Sequence, residues 1–90
     1  MPFVKFTTAL NRFFPDLKER NFTGKRVCEV LDHIESAHPG VKAYLLDEQG
    51  QLRPHINIFV RGELMKDREH LQDVVDEQDE ILVFQALSGG

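Results

Sequence analysis

Apolar positions in this chain follow two periods, alternation towards both ends and helical spacing in between. Residues 3–8 alternate, with Val4 and Phe6 on one side and Phe3, Lys5 and Thr7 on the other, which predicts a strand. In residues 11–17 the run Phe13-Phe14-Pro15-Asp16 predicts a loop or short helical turn, because Pro15 stops regular structure and the two Phe pin the segment. Residues 20–23 suit a second, short strand. Val27, Val30, Leu31, Ile34 and Ala37 then recur at helical spacing, with Glu29, Asp32, Glu35 and Ser36 turned to water. Thr23 is the expected N-cap of this helix, and Gly24-Lys25-Arg26 its expected first turn. His38-Pro39-Gly40 predicts the end, since Pro39 disfavours helical geometry at His38 and Gly40 accepts a positive φ.

Beyond the helix, residues 41–46 are apolar enough to predict a strand, and the polar residues 47–50 a turn. Ile56, Ile58 and Val60 alternate with Asn57 and Phe59, a further strand. Arg61-Gly62 then makes a tight turn into a short strand, Glu63-Leu64. Residues 66–75 predict a loop with a helical turn, residues 76–79 a polar turn, and residues 81–87 the last strand. Strand, strand, helix and then several strands predict a two-layer α+β domain, a mixed sheet packed on one main helix. A crossover helix between early and late strands lets the first and last strands lie parallel. That is the β-grasp, or ubiquitin-like, order, although order alone leaves a ferredoxin-like sandwich open. The expected division is one domain over residues 1–87 and a flexible Ser-Gly-Gly tail over 88–90.

Size and composition narrow the chemistry. Ninety residues hold one small domain, with little room for a deep enclosed active site. A single Cys excludes a disulfide framework, a zinc ribbon and an iron–sulfur ferredoxin. No apolar run approaches the roughly 20 residues of a membrane span, and Met1-Pro2-Phe3-Val4-Lys5 lacks a secretory pattern, so a cytoplasmic location is expected. Net charge is −4, with residues 41–90 carrying five Lys/Arg against ten Asp/Glu. Binding to nucleic acid through a basic surface is therefore not expected.

The chemistry-bearing feature is Gly89-Gly90, next to the last predicted strand and behind Ala86, Leu87 and Ser88. A carboxylate must be activated before it reacts, and residues without side chains can thread it into another protein's ATP site. Gln51-Leu52-Arg53-Pro54-His55-Ile56-Asn57-Ile58-Phe59-Val60-Arg61-Gly62-Glu63, then Gln78-Asp79-Glu80-Ile81 and Gly89-Gly90, resemble the MoaD/ThiS family of ubiquitin-like sulfur carriers, in particular its longer MoaD-like and CysO-like members. The resemblance implies a carrier that is not itself an enzyme. Its Gly90 carboxylate would be adenylated by an enzyme of the ubiquitin-activating type, which uses ATP, and then converted to a thiocarboxylate. A sulfurtransferase or sulfide source would supply the sulfur, and a biosynthetic enzyme would accept it. Gly89 is then the slender approach, and no cofactor is expected on the chain itself. The alternatives are a modifier forming isopeptide bonds through Gly90 and a non-catalytic interaction domain. The family usually has Asn where Arg61 stands. A type I′ turn needs φ > 0 at both central positions, so Arg61 predicts another turn type or strain.

Other candidates are weaker. Cys28 lies at the margin of the helix's apolar face with no base in view, and His33, His38, His55 and His70 have no recognised metal spacing, so no metal is expected. His38 suits the helix C-terminus. Asp67, Glu69, Asp73, Asp76, Glu77, Asp79 and Glu80 form a solvated edge or, alternatively, a docking surface for a basic partner. With Ile56, Ile58, Val60, Ile81 and Val83 facing the helix, Phe59, Leu82 and Phe84 fall on the opposite face of the sheet. Either Phe13 and Phe14 cover them, or they form an apolar patch for partner enzymes that continues into Leu87 and Ser88. Ubiquitin-like proteins commonly dock through this face, and the resemblance favours the patch.

Overall fold

The computed structural model describes residues 1–86. Strand β5 (Glu80–Gln85) alternates between the two faces of the sheet, with Ile81 and Val83 fully buried. It pairs parallel with β1 (Phe3–Phe6), from Phe3↔Glu80 to Phe6↔Val83, and antiparallel with β3 (Ile56–Val60), from Ile56↔Gln85 to Val60↔Ile81. Two short strands complete the edges: β2 (Arg20–Asn21) beside β1 and β4 (Glu63–Leu64) beside β3. The sheet order β2-β1-β5-β3-β4 with one main helix is the β-grasp plan. It excludes the ferredoxin-like sandwich, which needs a second crossover helix between strands.

Helix α1 (Val27–Ala37) buries Val27, Val30, Leu31 and Ile34 against Val4, Ile56, Ile58, Ile81 and Val83, the spacing its sequence prescribes. Its start differs from expectation. The N-cap is Arg26, and no side chain caps the helix there. The orphan N–H groups of Val27 and Cys28 instead donate to the carbonyls of Asp73 (3.0 Å) and Leu71 (2.9 Å), so a distant loop does the work expected of Thr23. Glu29, in the first turn, reaches back to accept the N–H of Lys25, one residue before the N-cap. The helix ends at His38, as the sequence predicts, and Gly40 turns the chain at φ 102°.

Residues 41–46 do not form the expected strand. Val41–Leu45 is a short helix, α2, which buries Val41 and Leu45. The reason lies in the preceding turn: the Glu35 carboxylate accepts the N–H groups of Gly40 (2.9 Å) and Lys42 (2.8 Å), and the Gly40 carbonyl accepts Tyr44 N–H. A short apolar run does not distinguish strand from helix, and this local capping selects the helix. Residues 11–17 meet expectation loosely, the helical turn being a 3-10 turn at Thr8–Arg12. No helix among the described residues is long and apolar enough to cross a membrane.

The acidic stretch is largely internal bracing. Asp67 accepts the N–H groups of Glu69, His70 and Gln72, and Asp73 those of Lys66 and Asp67. Asp79, a buried carboxylate, accepts Asp76 N–H and pairs with Arg61. That pair explains the turn between β3 and β4. Arg61 and Gly62 stand at φ 55° and 77°, both positive as a type I′ hairpin requires, although Arg is poorly suited to the first position. The strained backbone of Arg61 is held by its guanidinium on Asp79 and its N–H on the Glu80 carbonyl, 3.0 Å.

Asp79→Ala removes the acceptor for both Arg61 and Asp76 N–H. It is expected to lower the unfolding free energy by about 1–3 kcal/mol, measured by urea denaturation. A change within a few tenths would mean that the hairpin holds its geometry unaided. Backbone N–H groups also hold two half-buried carboxyls below the usual range: those of Gly40 and Lys42 act on Glu35, and chiefly those of His70 and Gln72 on Asp67. Their contribution is complete above the ordinary values of about 3.9 for Asp and 4.3 for Glu. It is lost as pH falls through the lowered folded-state values. Melting temperature should therefore fall on acidification below about pH 4, and less steeply in Asp67→Asn, whose amide keeps an acceptor but does not titrate.

Candidate docking face and the exit of the last strand

Strand registry assembles the outer face of the sheet. Phe59 stands opposite Leu82 on one side and Leu64 on the other, and Leu82 stands beside Lys5. One row, Leu64-Phe59-Leu82-Lys5, thus crosses four strands, and Phe84 sits diagonally from Phe59. The Phe59 and Phe84 rings meet edge to face with centroids 6.3 Å apart. Phe59 and Leu82 are half-buried, while Phe84 is 36% and Leu64 53% exposed. Phe59, Leu82 and Phe84, with Gly62 and Glu80, line a shallow open groove.

Phe13 and Phe14 do not cover this face. They pack on Tyr44 of α2 at centroid distances of 5.2 and 5.7 Å, leaving Phe13 60% exposed. The pinning role expected of them is real, but its partner is Tyr44. Lys5 closes one margin of the patch in an ion pair with Glu80 at 3.1 Å. The hydrogen bond and charge of Glu80 hold the Lys5 ammonium above its usual range, in an exposed and therefore screened position. Leu64 was not among the residues singled out from sequence. The signal was available, because a two-residue turn at Arg61-Gly62 necessarily sets residue 64 opposite residue 59.

The strand exit lies beside this face. Gln85 N–H donates to the Thr7 hydroxyl (3.1 Å), and Ala86 N–H donates to the His55 carbonyl (2.9 Å). The Tyr44 hydroxyl donates to Gln85 Oε1 at 2.8 Å. Leu87, Ser88, Gly89 and Gly90, the other site residues expected from sequence, lie outside the described residues.

The remaining candidates have ordinary surroundings. Cys28 packs partly on the core, with the Gln72 amide 3.4 Å from its Sγ. His33 Nδ1 lies 2.6 Å from the Thr23 carbonyl, a distance that places a proton on that nitrogen. Among the described residues no three His, Cys, Asp or Glu side chains gather where they could hold a metal ion.

Comparison with known proteins agrees with this architecture. The ThiS family model matches residues 4–90. A chain of the Amycolatopsis orientalis BexX/CysO complex superimposes with a TM-score of 0.86 at 30% identity, covering 100% of both chains. Mycobacterium tuberculosis CysO shares the fold at a TM-score of 0.83 and 21% identity, over 97% of this chain and 100% of that one. Small archaeal modifier protein 1 of Haloferax volcanii is 31% identical over 64 residues, 71% of this chain and 69% of the relative. With the β-grasp sheet, these matches establish that the chain belongs to the ThiS family of ubiquitin-like proteins, whose members are small sulfur-carrier or modifier proteins.

Proposed function

We propose that the protein is a sulfur carrier whose reactive atom is the Gly90 carboxylate. The observation that carries this reading is the position of β5, paired on both sides in the sheet and leading in sequence within a few residues to Gly89-Gly90, beside an apolar face that no loop among the described residues covers. In the first step a carboxylate oxygen attacks the α-phosphorus of ATP on an activating enzyme, and pyrophosphate leaves. In the second, sulfide attacks the acyl carbon and AMP leaves, giving the thiocarboxylate. Where the donor is a sulfurtransferase persulfide, its attack expels AMP to give an acyl disulfide. A second thiol of that enzyme then cleaves the S–S bond, releasing the thiocarboxylate and leaving an enzyme disulfide. The resulting thiocarboxylate hands its sulfur to a biosynthetic enzyme. ATP belongs to the partner, and the carrier needs no bound cofactor of its own. Phe59, Leu82, Phe84 and Leu64 supply the docking area, continued by Leu87 and Ser88.

A second reading has its own support: the Haloferax relative is named a modifier protein. In that case a Lys amine attacks the activated acyl carbon and Gly90 ends in an isopeptide bond. Intact-mass analysis of protein from its native host separates the two. Replacement of one oxygen by sulfur supports the carrier, ladders on other proteins support the modifier, and neither product overturns both.

Deleting Gly90 is expected to abolish ATP–pyrophosphate exchange by the cognate activating enzyme, with melting temperature unchanged. It draws the carboxylate back by about 3.3–3.6 Å, comparable with the 3–3.5 Å approach that reaction needs. Gly89→Val keeps the reach but adds a β-branched side chain, and a partial loss is expected. Full exchange by the Gly90-deleted chain would overturn the carrier reading.

Phe84→Ser is expected to raise the carrier concentration needed for half-maximal adenylation several-fold while costing little stability, and Phe59→Ser to do the same with a larger stability cost. Ile58→Ala, on the inner face, should instead cost about 2–5 kcal/mol. Destabilisation by both Phe variants as severe as that of Ile58→Ala would show that the outer face is core.

A further inference from the structure

The sheet alone does not hold the end of β5. Its pairing with β1 stops at Phe6↔Val83, after which Thr7 N–H still reaches the Val83 carbonyl at 3.2 Å, and its pairing with β3 stops at Ile56↔Gln85. A strand end left there would fray. The last bond of the β3 ladder is that of Ala86 N–H on the His55 carbonyl, and two side-chain hydroxyls add to it: that of Thr7 on Gln85 N–H and that of Tyr44 on the Gln85 amide oxygen. They come from the segment after β1 and from α2, so the end of β5 is also held from outside the ladder. Tyr44 is the only tyrosine of the chain. It is clamped between Phe13 and Phe14, one ring tilted by 38° and the other nearly perpendicular at 74°. A half-buried side chain held by two aromatic neighbours has little freedom to point its hydroxyl elsewhere.

We propose that Tyr44, through Gln85, is a positioning residue that fixes the end of β5 at Gln85 and Ala86, and so sets how often the docked carrier presents its carboxylate productively. This rests on the adenylation reading above. The outer-face residues govern whether the carrier docks. Tyr44 lies at the exit, apart from Phe59 and Leu82, and governs what fraction of docked complexes react. A loss at Tyr44 therefore falls on kcat, and a loss at the apolar face falls on KM.

Tyr44→Phe keeps the ring between Phe13 and Phe14 and removes only the hydroxyl. In the full chain it is expected to leave melting temperature nearly unchanged, while amide hydrogen exchange at Gln85 and Ala86 quickens by about 2- to 12-fold, the worth of one net hydrogen bond. In ATP–pyrophosphate exchange with the activating enzyme, kcat should fall by a similar factor at unchanged KM, the opposite split from Phe84→Ser. Gln85→Glu keeps an acceptor for the Tyr44 hydroxyl and should retain protection at Ala86, whereas Gln85→Leu should lose it. Unchanged amide exchange in Tyr44→Phe overturns the anchor, whatever the enzyme does, and so does a kinetic loss confined to KM. Full activity of the Gly90-deleted chain instead overturns the carrier reading and its kinetic consequence, leaving amide exchange to decide whether Tyr44 holds the exit.

Discussion

The parallel pairing of β1 with β5 is the constraint on which the rest of the molecule depends. Two parallel neighbours cannot be joined by a hairpin, so between β1 and β5 the chain must at some point leave the sheet, cross one face and return. Helix α1 is that crossing, and its apolar stripe covers the inner face of β1, β5 and β3. The same pairing places the last described strand at the centre of the sheet, with β1 on one side and β3 on the other.

Having one main helix leaves the sheet with two unlike faces. The inner one is closed by α1. The outer one carries Phe59, Leu82, Phe84 and Leu64, with Lys5, Asn57 and Glu80 beside them. An apolar surface of that kind gains stability when a partner removes it from water. In sequence, Gly89-Gly90 follows β5 by four residues, so the strand that carries Leu82 and Phe84 is also the one that leads to the glycine pair.

Loops in this protein serve as braces more than as spacers. The segment from Met65 to Asp79 buries Met65, Leu71 and Val75, supplies the carbonyls that cap α1, and spends Asp67, Asp73 and Asp79 on backbone N–H groups and on Arg61. A net-negative sequence stretch therefore overstates the negative surface available to a partner, because part of its charge is already committed within the fold.

Periodicity alone determined the main helix, its apolar face and the alternation of β3 and β5, since these depend on spacings of two and 3.6 residues, while the sheet order settled the β-grasp plan over a ferredoxin-like sandwich. The Gly-Gly pair and the residues from Gln51 to Glu63 carried the family. Tertiary structure decided what periodicity does not encode. Val41–Leu45 became helix because Glu35 caps the turn before it, and the start of α1 went to carbonyls more than 40 residues away in place of Thr23. Arg61 kept the geometry of a Gly-Gly or Asn-Gly turn because a buried Asp79 meets its guanidinium. Phe13 and Phe14 found Tyr44 instead of the outer sheet, which is what leaves Phe59 and Phe84 uncovered. In each case a side chain's partner lies far along the chain or on another element. Local propensity carries no term for such a partner until folding brings the two together.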